Sequence, residues 1–141
     1  MPADLVSSTE MRGTVLCIED LPINMVLVEA MLSEYPQVKL LKALNGRDGV
    51  RLALAERPEL VLLDMHLPDI GGLEVVRALS ELISRDGLRV VLLTADSFSI
   101  DVIKAMSLGA HEYWPKPLSS EKVATDLPRL LRDARRSRPD P

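Results

Sequence analysis

Four consecutive apolar residues, Leu60 to Leu63, run directly into an aspartate, Asp64. A strand with one wet face alternates apolar and polar side chains. An unbroken apolar run instead fits a strand covered on both faces, as in a parallel sheet. Arg89-Val-Val-Leu-Leu93 repeats the pattern and ends in Thr94, and Thr14-Val-Leu-Cys-Ile18 ends in Glu19-Asp20. Val38–Ala43 and Glu112-Tyr-Trp114 bring the short runs to five. Parallel neighbours cannot be joined by tight turns, so a crossover helix is required between them.

Helical stretches stand in the gaps. Ile23, Val26, Leu27, Ala30 and Met31 follow the i, i+3, i+4, i+7, i+8 stripe expected to face a core. Pro22 suits that helix's first turn and Tyr35-Pro36 closes it. A second helix runs through Val50, Ala53 and Leu54 and stops at Arg57-Pro58. A third spans about 73–84, with Val76, Leu79 and Ile83 inward. A fourth near 99–108 ends at Gly109, and a fifth is capped by Ser119-Ser120-Glu121. Pro128 is expected to kink that last helix or split it. The pattern predicts an α/β fold: a flavodoxin-like, doubly wound five-stranded parallel sheet of order 2-1-3-4-5 with helices on both faces.

The chain's 141 residues suit one domain, expected over 14–135 between a flexible leader or linker (1–13) and a disordered tail (136–141). A single cysteine, Cys17, excludes an internal disulfide framework and reads as inert core packing. No apolar run approaches the ~18 residues of a membrane span, and residues 1–13 lack a signal-peptide core, so a cytoplasmic location is expected. Residues 1–128 hold 12 Lys and Arg against 19 Asp and Glu, a net −7. An acidic body argues against nucleic acid as a partner. The arginines at 129, 132, 135, 136 and 138 read as a solvated helix end.

The topology collects chemistry at one edge, because ligands of such sheets bind outside the carboxyl ends of the strands. Glu19-Asp20, Asp64 and Thr94 each close a strand, and Lys116 lies just past the fifth. Carboxylates at ~4 Å repel by about 4 kcal/mol per pair at an effective dielectric of ~20, so the cluster needs a cation or must hold protons. Oxygen-only ligands favour a hard ion such as Mg²⁺, with Mn²⁺ as an alternative. A carboxylate beside a metal, an ammonium and a hydroxyl is equipped to accept a phosphoryl group.

Four segments carry a resemblance: VLCIED at 15–20, LVLLDMHLPDIGG at 60–72, VVLLTA at 90–95 and EYWPKP at 112–117. Together, in order and each at a strand end, they resemble the response-regulator receiver domains of two-component signalling, over about residues 14–135. The resemblance implies that Asp64 is the phosphoacceptor. Asp20 would bind Mg²⁺ directly, Glu19 through water, and the backbone carbonyl of His66 would complete the protein ligands. Lys116 and Thr94 would take phosphoryl oxygens, Ala95 would leave room for the group, and Tyr113 matches the switch aromatic. The side chains of His66 and Asp96 lie near the expected mouth and are assigned to tuning of dephosphorylation. The implied partners are a sensor histidine kinase or histidine phosphotransfer protein, and a downstream protein. The latter would bind a face made by the fourth helix, fifth strand and fifth helix. A homodimer is compatible with the family, but Pro128 departs from its uninterrupted last helix.

The implied protein is a phosphoacceptor, not an enzyme beyond dephosphorylating itself. Two other classes fit the residues less well. Aspartyl-phosphate hydrolases place a second aspartate two residues after the first, where His66 stands here. A flavodoxin would meet a flavin phosphate with the acidic loop Glu19–Asn24. A receiver-like interaction module that is never phosphorylated remains a third alternative.

Overall fold

The computed structural model describes residues 11–137. Its elements are β1 (Arg12–Ile18), α1 (Pro22–Leu32), β2 (Gln37–Ala43), α2 (Gly46–Glu56), β3 (Leu60–Asp64), α3 (Gly72–Ala78), α4 (Ser80–Arg85), β4 (Arg89–Thr94), α5 (Ile100–Ser107), β5 (Glu112–Pro115) and α6 (Ser120–Ser137). The five strands form one sheet of order β2-β1-β3-β4-β5, parallel at every pairing, as expected.

Side-chain alternation along the strands builds two cores. Leu16, Ile18, Val61, Leu63, Val90 and Leu92 join residues of α2, α3, α4 and α5 on one face. Val15, Cys17, Leu60, Leu62, Val91, Leu93 and Trp114 join α1 and α6 on the other. Leu62 pairs with Cys17 and Val91 across the sheet centre, and β3 is buried at all five positions. Each fully buried leucine contributes roughly 1.5–3 kcal/mol. Among the described residues no helix is long and apolar enough to cross a membrane.

Local chemistry sets the helix ends. Asn45 caps α2 by accepting from Asp48 N at 2.8 Å, and Asp69 accepts from Gly46 N at 2.7 Å and Arg47 N at 2.9 Å. Ser99 caps α5 by accepting from Val102 N, and Ser119 caps α6 by accepting from Lys122 N. Asp69 thereby ties the loop after β3 to the start of α2.

Four expectations are corrected. First, β1 begins at Arg12, with Met11 buried, so the strand takes in the end of the segment read as a leader. Helix α6 likewise extends to Ser137, past the expected start of the tail. The expected leader over 1–10 and tail over 138–141 lie outside the described residues. Second, the buried face of α1 is Met25, Val28 and Leu32, while Ile23, Val26 and Leu27 are exposed. The helix is apolar nearly all round, so several stripes fit its spacing and packing on β1 and β4 selects one. Third, the expected third helix is two short helices meeting at Leu79, whose ψ of 7° leaves the helical well while its side chain stays fully buried. The expected fourth and fifth helices are therefore α5 and α6. Fourth, α6 runs unbroken through Pro128. Its apolar stripe of Val123, Leu127, Leu130, Leu131 and Ala134 is buried against the sheet and outweighs the lost hydrogen bond.

Candidate metal and phosphoacceptor site

The parallel register brings the carboxyl ends of β1, β3, β4 and β5 to one rim. Glu19 follows β1 directly, its N–H donating to Ala43 O of β2 at 3.0 Å. Asp64 ends β3 beside Leu93, and Thr94 ends β4 beside Pro115. The Lys116 N–H donates to Thr94 O at 2.9 Å, which fixes the residue at the edge of β4. Glu19, Asp64 and Thr94 are each no more than 2% exposed. Carboxylate oxygens of Glu19, Asp20 and Asp64 lie within 4.8 Å of one another. Lys116 Nζ bridges this group, at 2.9 Å from Asp64 Oδ1 and 3.4 Å from Glu19 Oε1.

The electrostatics divide the two buried acids. Burial, and then Asp64 itself, hold the Glu19 carboxyl above the usual range despite Asn24 and Lys116. Burial also works to raise Asp64, but hydrogen bonds from Glu19, Lys116 and the His66 N–H bring it below the usual range. That N–H donates to Asp64 Oδ1 at 3.1 Å. The pair is thus driven apart, Glu19 upward and Asp64 downward, with Lys116 on the Asp64 side. Lys116, which burial alone would lower, is held above its usual value by Asp64 and Glu19 and stays cationic. Three oxygen donors with no sulfur or imidazole among them fit a hard divalent cation.

The remaining predicted residues sit around this centre. The Thr94 hydroxyl is engaged within its own loop, donating to Asp96 O at 3.1 Å and accepting from Asp96 N at 3.0 Å. Ala95, Asp96 and the His66 side chain are exposed at the rim, and Asp96 Oδ1 accepts from Phe98 N at 3.0 Å. Tyr113 points outward, 43% exposed, while its neighbour Trp114 is fully buried and donates from Nε1 to Glu112 at 2.8 Å. Cys17 lies beneath the acids with its thiol pushed up to about 12, chiefly by burial, and is chemically inert.

Two features escaped the sequence reading. Asn24, in the first turn of α1, donates from Nδ2 to Glu19 Oε1 at 2.9 Å. A cavity of about 220 Å³ opens beside Lys116, walled by Leu27, Val28, Leu93, Pro117 and Leu118. Asn24 stands inside α1, beyond its Leu21 N-cap, and no spacing rule points such an amide back at the strand end.

Comparison with known proteins agrees with this geometry. A family model described as the response regulator receiver domain matches residues 15–127. The chain is 31% identical over 117 residues to protein PilH of Pseudomonas aeruginosa, covering 83% of this chain and 96% of that protein. It is 36% identical over 119 residues to the probable transcriptional regulatory protein TcrX of Mycobacterium tuberculosis, covering 84% of this chain but 50% of TcrX. Among solved structures, it is similar to the receiver domain of a Pseudomonas aeruginosa sensor histidine kinase, crystallised with a magnesium ion coordinated in its active-site cleft. That match has a TM-score of 0.75 and 26% identity, covering 85% of this chain and 98% of the other.

Proposed function

This chain belongs to the response regulator receiver domain family, and we propose that it accepts a phosphoryl group from a phosphohistidine onto Asp64. The observation that carries the reading is the buried Asp64 held 2.9 Å from Lys116 Nζ among converging carboxylates. An Asp64 carboxylate oxygen attacks phosphorus and a new O–P bond forms. The P–N bond to the donor imidazole breaks, and the ring nitrogen leaves with the electron pair, as neutral imidazole because the donor ring's other nitrogen carries a proton taken from water. Glu19, Asp20, Asp64 and the His66 carbonyl would hold Mg²⁺, which, when bound, neutralises charge on the transferring oxygens. Lys116 then turns to one phosphoryl oxygen, and Thr94 exchanges its Asp96 contacts for another.

The donor is a sensor histidine kinase or histidine phosphotransfer protein. Asp64 is 2% exposed, so the donor must reach over the rim, where Leu21 and Ile23 stand exposed and the exposed Leu27 lines the cavity. The output surface is the α5–β5–α6 face, where Ile100, Ile103, Leu108 and Tyr113 are exposed. Phosphorylation adds up to about two negative charges. As Thr94 moves toward them, Tyr113 turns inward behind it and the face changes its affinity. A full switch from 1:99 to 99:1 needs about 5.5 kcal/mol, within the scale of a few charge-assisted hydrogen bonds. His66 and Asp96, exposed at the mouth, tune the phosphoryl lifetime by ordering or blocking water. Unchanged lifetimes in both His66→Asn and Asp96→Ala would sink that assignment.

The test is intact mass after incubation with Mg²⁺ and acetyl phosphate, beside Asp64→Ala and a metal-free control. One metal-dependent phosphoryl adduct, absent from the variant, is expected. No adduct from either acetyl phosphate or a panel of phosphorylated histidine phosphotransfer proteins would replace this reading with a non-phosphorylated interaction module.

A further inference from the structure

The Glu19 side chain has one more rotatable bond than an aspartate, so burial alone does not aim its carboxylate. Its Oε1 has two side-chain donors, Lys116 Nζ at 3.4 Å and Asn24 Nδ2 at 2.9 Å. Its Oε2 accepts a longer bond from Leu21 N at 3.4 Å. We infer that Asn24 is a positioning residue of the cation site, holding the Glu19 carboxylate toward Asp20 and Asp64 and remaining as its donor when Lys116 turns to the phosphoryl group. The inference rests on the phosphoacceptor reading and extends it to a residue outside the predicted set.

Three observations support it. Asn24 is half-buried on α1, which is anchored by Met25, Val28 and Leu32 and begins at Pro22, so the amide comes from a rigid element. The N-cap of α1 is Leu21 and no side chain caps the helix, so the Asn24 amide, three residues inside, is spent on Glu19 and not on capping. Asparagine is also a poorer helix former than alanine or leucine. A merely structural role would show as lost stability in Asn24→Ala and Asn24→Leu with cation affinity unchanged, and no role at all as variants at least as stable as the parent. Residues that orient a metal ligand typically change affinity 10–100-fold when removed. Asn24 is neutral, so the phosphoryl group, which draws Lys116 away, has no comparable pull on it.

The experiment is Mg²⁺ titration by calorimetry on the unphosphorylated protein, with thermal melts in EDTA to confirm folding. Asn24→Leu, or Asn24→Ala should leucine crowd the site, is measured alone and with Glu19→Gln. About tenfold weaker Mg²⁺ binding is expected in the Glu19 background, and less than twofold further loss in the Glu19→Gln background. Affinity within twofold of the parent, or the same loss in both backgrounds, overturns the inference. A parent protein that binds no Mg²⁺ overturns the cation site itself, a result separable from either of these.

Discussion

Replacing Glu19 with glutamine should stabilise the metal-free fold while weakening the cation site. The ligand oxygens of Glu19, Asp20 and Asp64 lie within 4.8 Å of one another. Two unit charges at that distance repel by about 3.5 kcal/mol at an effective dielectric of ~20, so ionised Glu19 meets about 7 kcal/mol from its two neighbours. Lys116 Nζ, 3.4 Å away, returns about 5 kcal/mol. About 2 kcal/mol of net repulsion remains, in the same direction as the raised Glu19 carboxyl. Glutamine removes the charge and keeps an amide oxygen for Asn24. Proton uptake already relieves part of the repulsion in the parent. The expected gain in EDTA is therefore about 1–2 kcal/mol, or about 3–7 °C in Tm for a chain of this size. Magnesium reverses the order. At a concentration a hundred times its Kd a bound ion adds about 2.7 kcal/mol to the parent, and less to the variant with the weaker site. Urea unfolding and calorimetric melts across a Mg²⁺ series should give stability curves that cross. A variant less stable than the parent in EDTA, or curves that rise in parallel with Mg²⁺, would refute the reasoning.

Other expectations follow from neighbouring geometry. A Cβ on Gly72 would sit 2.6 Å from Met65 Sδ and 2.9 Å from Met65 Cα. Backbone beside Asp64 must then shift, so Gly72→Ala should cost about 1–3 kcal/mol in urea unfolding and weaken Mg²⁺ binding in the same titration. Asp69 is held down to about 2, its accepted bonds from Arg47 N and Gly46 N overcoming desolvation. Asp69→Ala should lower Tm, and the Tm difference from the parent should shrink as pH falls toward 2, where the parent's Asp69 also loses its charge. Burial and then Arg89 hold His111 below its usual range despite Glu112. Below about 6.5 the unfolded chain takes up a proton that the folded chain resists, so stability falls as pH drops toward the folded value. His111→Gln should flatten the Tm profile between pH 7.5 and 5.5; an unchanged slope would assign that loss to other groups.

Legibility in the sequence followed burial. The strands stood out because β3 and the middle of β1 and β4 are covered on both faces, leaving apolar runs that few other structures explain. The charged centre stood out because a carboxylate at the end of such a run needs a partner, and Asp64, Glu19 and Lys116 supply one another. What spacing could not carry was choice among equivalent faces. In α1 apolar residues lie nearly all round, and only the neighbouring strands distinguish Met25 and Val28 from Ile23 and Val26. The break at Leu79 carries no glycine or proline to announce it. Pro128 announces a break that the buried stripe of α6 overrules. Asn24 acts on a residue five positions earlier, across a strand-to-helix junction whose angle no local pattern encodes. Asn45-Gly46 was readable as a turn, but not as the place where Asn45 Oδ1 would accept from Asp48 N and Asp69 from Gly46 N and Arg47 N.

The sheet acts as a bulkhead between two apolar compartments that share no side chain. Substitutions on opposite sides are separated by backbone, so their costs should add, whereas two within one compartment can compensate. Helix α1 shares its compartment with α6, while α5 is seated in the other. The two flanks of the proposed output face, α5 and α6, are thus free to drift by separate routes. The interior beneath α5 can be recast for a new target without disturbing what lies under α1. Only the carboxyl rim, where Glu19, Asp64 and Thr94 stand, answers to both sides at once.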